Sequence, residues 1–142
     1  MLRVAVALFV IALASPLSAQ KPGAGPAAAL QGTWIFQSVN SQPAPEGAGE
    51  TSVTFKGNTY QQTSDGQVNE RGTFKVDASK KPMTIDLTIV EGPDAGKTQL
   101  GIFEVSGDTL RANFGLAGEK MRPSDLKPAE GSLLLVAKKK KA

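Results

Sequence analysis

The chain has 142 residues, a formal net charge of +3, and neither Cys nor His. Without these two residue types it cannot build Ser-His-Asp triads, Cys nucleophiles, or zinc and haem sites that use His or Cys ligands. Arg3 and the four lysines at 138–141 carry more positive charge than the chain's net charge, so the remainder is mildly acidic. We therefore expect no nucleic-acid partner and no Cys-linked lipid anchor.

The first 19 residues have the layout of a secretory signal peptide. Arg3 supplies the positive n-region, residues 4–14 form an uninterrupted apolar run, and the small residues that precede a cleavage site end at Ala19. An uncleaved membrane anchor is the alternative, but the run is short for a hydrocarbon core of about 30 Å. We expect cleavage after Ala19, an extracytoplasmic (periplasmic or secreted) protein and no integral membrane span thereafter.

The remaining chain has the length of one domain. Residues 20–29 are dominated by Pro, Gly and Ala, a composition typical of a linker. Residues 30–138 are predicted to form the domain, and residues 139–142 a basic tail that is disordered. The domain is expected to be a monomer.

Short apolar segments follow one another through the domain without a helical period. The clearest one alternates Ile85, Leu87 and Ile89 with polar neighbours, the period of a strand with one buried face. Turn residues such as Asp65-Gly66 and Gly107-Asp108 separate the segments. Strands are predicted at residues 34–39, 53–55, 59–63, 72–77, 84–90, 98–105, 109–114 and 132–137.

This pattern predicts an all-β fold, an up-and-down antiparallel β-barrel of about eight strands. Local connections favour antiparallel pairing, and closing the sheet removes its exposed edges. A β-sandwich is the alternative, because the loops at 40–50 and 115–131 are long enough for crossovers. A barrel of this size is either filled by side chains or holds one small ligand.

Two sets of residues resemble known proteins. LQGTW at 30–34 contains Gly-x-Trp, the opening signature of lipocalins. The fuller pattern, GTF..D..KKP..IDLT...GP..GKT..GI...GDTL followed by RP, is similar to an uncharacterised family of small exported lipocalin-like domains, expanded in planctomycetes and acidobacteria. The resemblance covers residues 30–138 and implies a lipocalin-like barrel with no established activity.

The resemblance also implies roles for particular residues. Trp34 would close the base of the barrel, and Lys138 would be the cation that packs across it. Family members often carry Cys where this chain has Asn113, so a thiol-based role is not carried over.

The segment GPDAGKT at 92–98 looks like a phosphate-binding loop but lacks its spacing. The first Gly of that motif would have to occupy the position of Glu91, and a predicted strand follows where a helix is needed. We therefore predict a turn here, with no nucleotide and no other cofactor or metal.

The candidate site residues belong to the barrel interior and the loops. The predicted lining of an internal cavity consists of Phe55, Phe74, Leu87, Phe103 and Phe114. These same residues could instead fill the interior. Arg111 and Arg122 are candidate anion contacts near the barrel mouth. The alternative for Arg122 is an ion pair with Asp125 or Glu119 that ties the loop down.

The leading functional hypothesis is an exported domain that binds a small apolar or amphipathic ligand. The alternative is a non-catalytic structural or interaction domain at the cell envelope, with a filled barrel. In that case the basic residues from Lys138 to position 141 could contact an anionic envelope surface. A hydrolase using Glu70 and Asp86 is a third hypothesis, but both carboxylates are predicted to face solvent. No catalytic residue is predicted, and we expect no enzyme.

Overall fold

The computed structural model describes residues 26–141. The predicted signal peptide and the linker up to residue 25 lie outside the described residues. The described chain forms helix α1 (Pro26–Leu30) and nine strands. The strands are β1 (Gly32–Val39), β2 (Gln42–Pro43), β3 (Thr51–Lys56), β4 (Thr59–Ser64), β5 (Gln67–Asp77), β6 (Met83–Glu91), β7 (Thr98–Ser106), β8 (Thr109–Gly115) and β9 (Ser132–Lys139).

Eight of the nine strands close into a barrel. Sequential strands from β3 to β9 pair antiparallel, β1 pairs with β3, and β9 returns to pair with β1. Strand β2 is a two-residue arm that pairs with the end of β1. The predicted up-and-down barrel is confirmed, and the β-sandwich is wrong because the pairing of β1 with β9 closes the sheet.

The two ends of the barrel differ. Short turns at 57–58, 78–82 and 107–108 join strands at one end, called here the base. The loop at 40–50 (which contains β2), the turn at 92–97 and the segment 116–131 lie at the other end, called here the mouth. The longest connections between strands therefore lie at the mouth.

Helix α1 plugs the base. Leu30 at its end and Trp34 on β1 are both fully buried, and the Trp34 indole Nε1 donates a hydrogen bond to the Leu30 carbonyl at 2.8 Å. The Gln31 side chain exchanges two hydrogen bonds with the backbone of Gly57 and so fixes the plug to the turn between β3 and β4. The helix includes residues 26–29, which the sequence pattern had assigned to the linker.

Next to this plug the interior is packed with side chains. Phe55 and Phe74 meet edge to face, with ring centroids 5.0 Å apart. Phe103 and Ile85 are each about 1% exposed. This half of the barrel is a close-packed core that fixes the positions of the strands.

The segment 116–131, called here the strap, folds back over the outside of the barrel. The Asn113 side-chain Nδ2 donates to the carbonyls of Asp125 and Lys127 at 2.9 and 3.1 Å. Asn113 pairs in register with Ile102 on one side and Leu134 on the other, and all three are buried. The strap thus covers outward-facing residues of β7–β9, which explains why β9 is apolar on both faces.

Candidate ligand-binding cavity

The half of the interior near the mouth is hollow. It contains a cavity of about 500 Å³. Small-molecule sites typically measure about 300–1,000 Å³. The cavity is lined by Phe36, Val39, Val53, Phe55, Tyr60, Gln62, Glu70, Leu87, Asp94, Gln99, Phe114, Leu116, Ala117, Leu133 and Leu135. The barrel is therefore packed next to the plug and open toward the mouth.

Three of the five predicted lining residues contact this cavity. Phe55, Leu87 and Phe114 line it. Phe74 and Phe103 do not line it, because they pack against other side chains of the core. Alternation along a strand correctly placed all five on the inner face. It does not distinguish inward residues that pack together from those that surround a space.

One wall of the cavity is polar. Tyr60 on β4 donates its hydroxyl to Glu70 Oε1 on β5 at 2.7 Å. Burial, and then the hydrogen bond to Glu70 and that residue's charge, raise the pKa of Tyr60 far above its ordinary value. The hydroxyl therefore keeps its proton and remains a donor to the carboxylate. Gln62, directly opposite Glu70 in the strand register, extends the polar wall.

Glu70 lies inside the barrel, so the prediction that it faces solvent is wrong. Strand β5 begins at Gln67 rather than at residue 72, and the inward alternation of Phe74 and Gly72 continues to Glu70. Asp86 lies on the outer face, where Arg122 contacts it. The two carboxylates are on opposite faces of the sheet and do not form the pair that a hydrolase would need.

The GPDAGKT segment forms a turn at the mouth, as predicted. The backbone NH of Ala95 donates to the Gly92 carbonyl, and the NH of Gly96 donates to the carbonyl of Ile89. Asp94 from this turn reaches the cavity and pairs with Lys97 at 3.2 Å. The segment contributes to the rim of the cavity.

Neither candidate anion contact points toward the cavity. Arg122 lies on the outer wall, where it donates to the Gly101 carbonyl at 2.7 Å and pairs with Asp86 at 2.6 Å. Arg111 pairs with Glu104 and donates to the Leu126 carbonyl, also outside. Both arginines contact groups of the chain on the outer wall, because each lies in an outward position of its strand or strap. Arg122 ties the loop down, but through Asp86.

The cation at the barrel base is Lys139, and the prediction of Lys138 is wrong by one residue. Lys139 pairs in register with Trp34, and its Nζ lies 5.6 Å from the ring centroid. Lys138 pairs with Ile35 and is exposed. Because side chains alternate between faces along a strand, a shift of one residue moves the cation to the other face.

This assignment predicts different costs for two neighbouring substitutions. Lys139→Ala should lower the free energy of unfolding by about 0.5–1 kcal/mol, the usual value of an exposed cation–π contact. Lys138→Ala removes the same charge from the outer face and serves as the matched control, with a change of about 0.3 kcal/mol or less. Urea unfolding followed by circular dichroism measures both. Equal losses from the two variants would contradict the assignment.

The basic tail is ordered further than predicted. Strand β9 continues to Lys139, and the Lys140 backbone NH donates to the Thr33 carbonyl at 2.8 Å. The Lys140 ammonium lies 3.8 Å from Glu50. The side chains of two of the four lysines, Lys139 and Lys140, thus have partners in the barrel, which makes the segment less suited to an anionic surface than the sequence indicated.

Two further observations on the described residues concern metal binding and membrane-spanning helices. Within residues 26–141 no group of three or more Asp, Glu, His or Cys side chains is placed to hold a metal ion. In the same range no helix has the length and apolar character that crossing a bilayer requires.

A closed eight-stranded meander with a plugged base and a hollow half at the mouth is a small β-barrel whose interior has room for one small molecule. The family model described as a lipocalin-like domain matches residues 30–112, and the chain belongs to this family. The match includes Trp34, Tyr60 and Glu70. No curated protein and no solved structure matches the chain.

Proposed function

We propose that the protein is an exported, non-catalytic binding domain that holds one small apolar or amphipathic molecule in its barrel. The observation that carries this proposal is the cavity of about 500 Å³, whose walls are mainly apolar. Membership of the lipocalin-like family supports it, because eight-stranded barrels of this type can hold one small ligand. The hollow interior favours binding over a filled structural barrel.

The mouth offers a route of entry. Val39, Leu116 and Leu133 line the cavity and remain 38–45% exposed, so apolar side chains surround the opening. Exposed apolar residues gathered at one opening are typical of ligand-binding grooves. A ligand could therefore pass from this rim to the inner wall without crossing a polar surface.

Export is part of this proposal, and so is membership of the family of small exported lipocalin-like domains expanded in planctomycetes and acidobacteria. They rest on the signal-peptide layout of residues 1–19 and on the GTF to GDTL pattern. Cell fractionation with N-terminal sequencing tests export, and a mature N-terminus at Gln20 is expected. Retention in the cytoplasm with Met1 intact would contradict it.

Binding is tested with N-phenylnaphthylamine, an uncharged probe that fluoresces in apolar surroundings. Leu133→Trp places a large ring at the rim of the cavity and should weaken probe binding by about tenfold or more, about 1.4 kcal/mol. Leu133 is partly exposed, so the thermal midpoint should change little. The physical reason is steric, since the indole occupies space that the probe needs.

Val90→Trp is the matched control for this experiment. Val90 is 58% exposed on β6 and does not line the cavity, so its replacement should leave probe affinity unchanged. Equal affinities of the wild type and Leu133→Trp would place the probe elsewhere and contradict the proposal. Failure of the wild type to bind any apolar probe would also contradict it.

A further inference from the structure

We infer that the cavity selects amphipathic ligands whose polar head is a protonated amine, with Glu70 as the residue that recognises it. The inference rests on the proposed binding function and adds the chemical class of the ligand. It follows from the charge of the lining, the placement of Glu70 and the apolar character of the opposite walls.

The lining has an excess of negative charge. Two of its residues, Glu70 and Asp94, are acidic, and no lining residue is Lys or Arg. Lys97 at the rim pairs with Asp94 and offsets that charge. Arg71, next to Glu70 in sequence, instead pairs with Glu91. Glu70 forms no ion pair with any of residues 26–141, so its charge is the one left for a ligand to neutralise.

Glu70 is also held in place. The Tyr60 hydroxyl donates to its Oε1, and no donor from the described residues bonds Oε2. Tyr60 is itself 3% exposed, so its ring and hydroxyl are fixed by packing. One carboxylate oxygen is thus oriented by the protein, while the other can accept a hydrogen bond from a ligand.

The apolar walls around the Glu70 carboxylate should make binding depend strongly on the charge of the ligand's head group. Phe55, Leu87 and Leu135 surround the same space and exclude high-dielectric solvent when a ligand fills it. Electrostatic interactions strengthen in such surroundings, and charge-assisted hydrogen bonds exceed neutral ones. A fatty-acid carboxylate would bring like charge to Glu70, whereas an alkylammonium group would form a charge-assisted hydrogen bond.

The test compares three ligands with the same alkyl chain. Decylamine, decanol and decanoate compete with N-phenylnaphthylamine at pH 7, where the amine and the acid are both charged. Decylamine should bind about tenfold or more tightly than decanol, and decanoate more weakly than decanol. Glu70→Gln removes the charge and keeps the size, so it should bring decylamine within about threefold of decanol.

Glu104→Gln is the matched control, because Glu104 lies on the outer face and pairs with Arg111. It should keep the full preference for the amine. Tyr60→Phe, which leaves Glu70 charged but no longer oriented, should keep a reduced preference. A loss of the preference in Glu104→Gln would mean that bulk charge attracts the amine, and would overturn the inference.

The remaining outcomes separate this inference from the proposed function. If all three ligands bind the wild type equally, the amine selection is overturned while the proposed binding function stands. If Glu70→Gln weakens all three ligands by the same factor, Glu70 shapes the cavity and does not recognise the head, which also overturns the inference. If none of the three ligands and no apolar probe binds, the proposed function fails and the inference fails with it.

Discussion

Replacing Trp34 by Ala is expected to lower the free energy of unfolding by about 3–5 kcal/mol, the range for truncating a buried Trp. Trp34 is fully buried between the barrel interior and the plug, and it touches the helix through its bond to the Leu30 carbonyl. The substitution removes the ring, leaves a cavity at the base and leaves that carbonyl without its donor. A protein of ordinary stability, about 5–15 kcal/mol, loses much of its margin.

Circular dichroism in urea is the measurement of choice, because Trp34 is the sole Trp and its fluorescence disappears with it. Trp34→Phe is the graded control. It keeps most of the apolar volume and loses the indole NH, so we expect a smaller cost of about 1–2 kcal/mol. If Trp34→Ala costs less than about 1 kcal/mol, the plug does not depend on the ring as the structure implies.

The strands could be predicted because most have one buried face and a turn at each end. In β6, Ile85, Leu87 and Ile89 are buried and alternate with more exposed residues, as the sequence indicated. The beginning of β5 was missed because residues 67–71 are almost all polar. Their strand conformation comes from pairing with β4, a tertiary effect that local composition does not record.

The sequence does contain a signal that Glu70 faces the barrel interior, although the predicted strand began too late to include it. It has the same parity as Phe74 and Gly72, so extending the strand by a few residues would have placed it inside. The sequence contains no comparable signal that tells which half of the barrel interior is packed and which is hollow. Whether Phe103 meets another side chain or an empty space depends on the register of all eight barrel strands.

The resemblance predicted the right types of residue at the base of the barrel, a Trp and a cation, but it placed the cation at the wrong position. Trp34 does lie at the base, but the cation above it is one residue later than expected. Asn113 is 1% exposed and bonds the strap through Nδ2, while its Oδ1 has no partner among the described residues. In this chain the position holds the strap to the wall.

Arg122→Ala is expected to release the strap and to lower the free energy of unfolding by about 2 kcal/mol, given hydrogen bonds from a charged group discounted for solvent exposure. Arg122 connects the strap to β6 and β7 through the Gly101 carbonyl and Asp86. These partners lie 21 and 36 residues away in sequence, so neither could be read from local pattern. Without them the strap keeps its hydrogen bonds to Thr98, Arg111 and Asn113.

Release of the strap is measured separately from global unfolding. A Glu-specific protease can cut after Glu119 and Glu130, sites that the substitution does not alter, and faster cutting is expected in Arg122→Ala under native conditions.

Arg111→Ala is the matched control. Its pair with Glu104 is more exposed and it makes a single strap contact, so the substitution should lower the free energy of unfolding by less than about 1 kcal/mol. Leu116 and Ala117 at the start of the strap line the cavity, so Arg122→Ala should also weaken probe binding. Unchanged proteolysis and binding in Arg122→Ala would mean that the remaining contacts, to Thr98, Arg111 and Asn113, are enough to hold the strap.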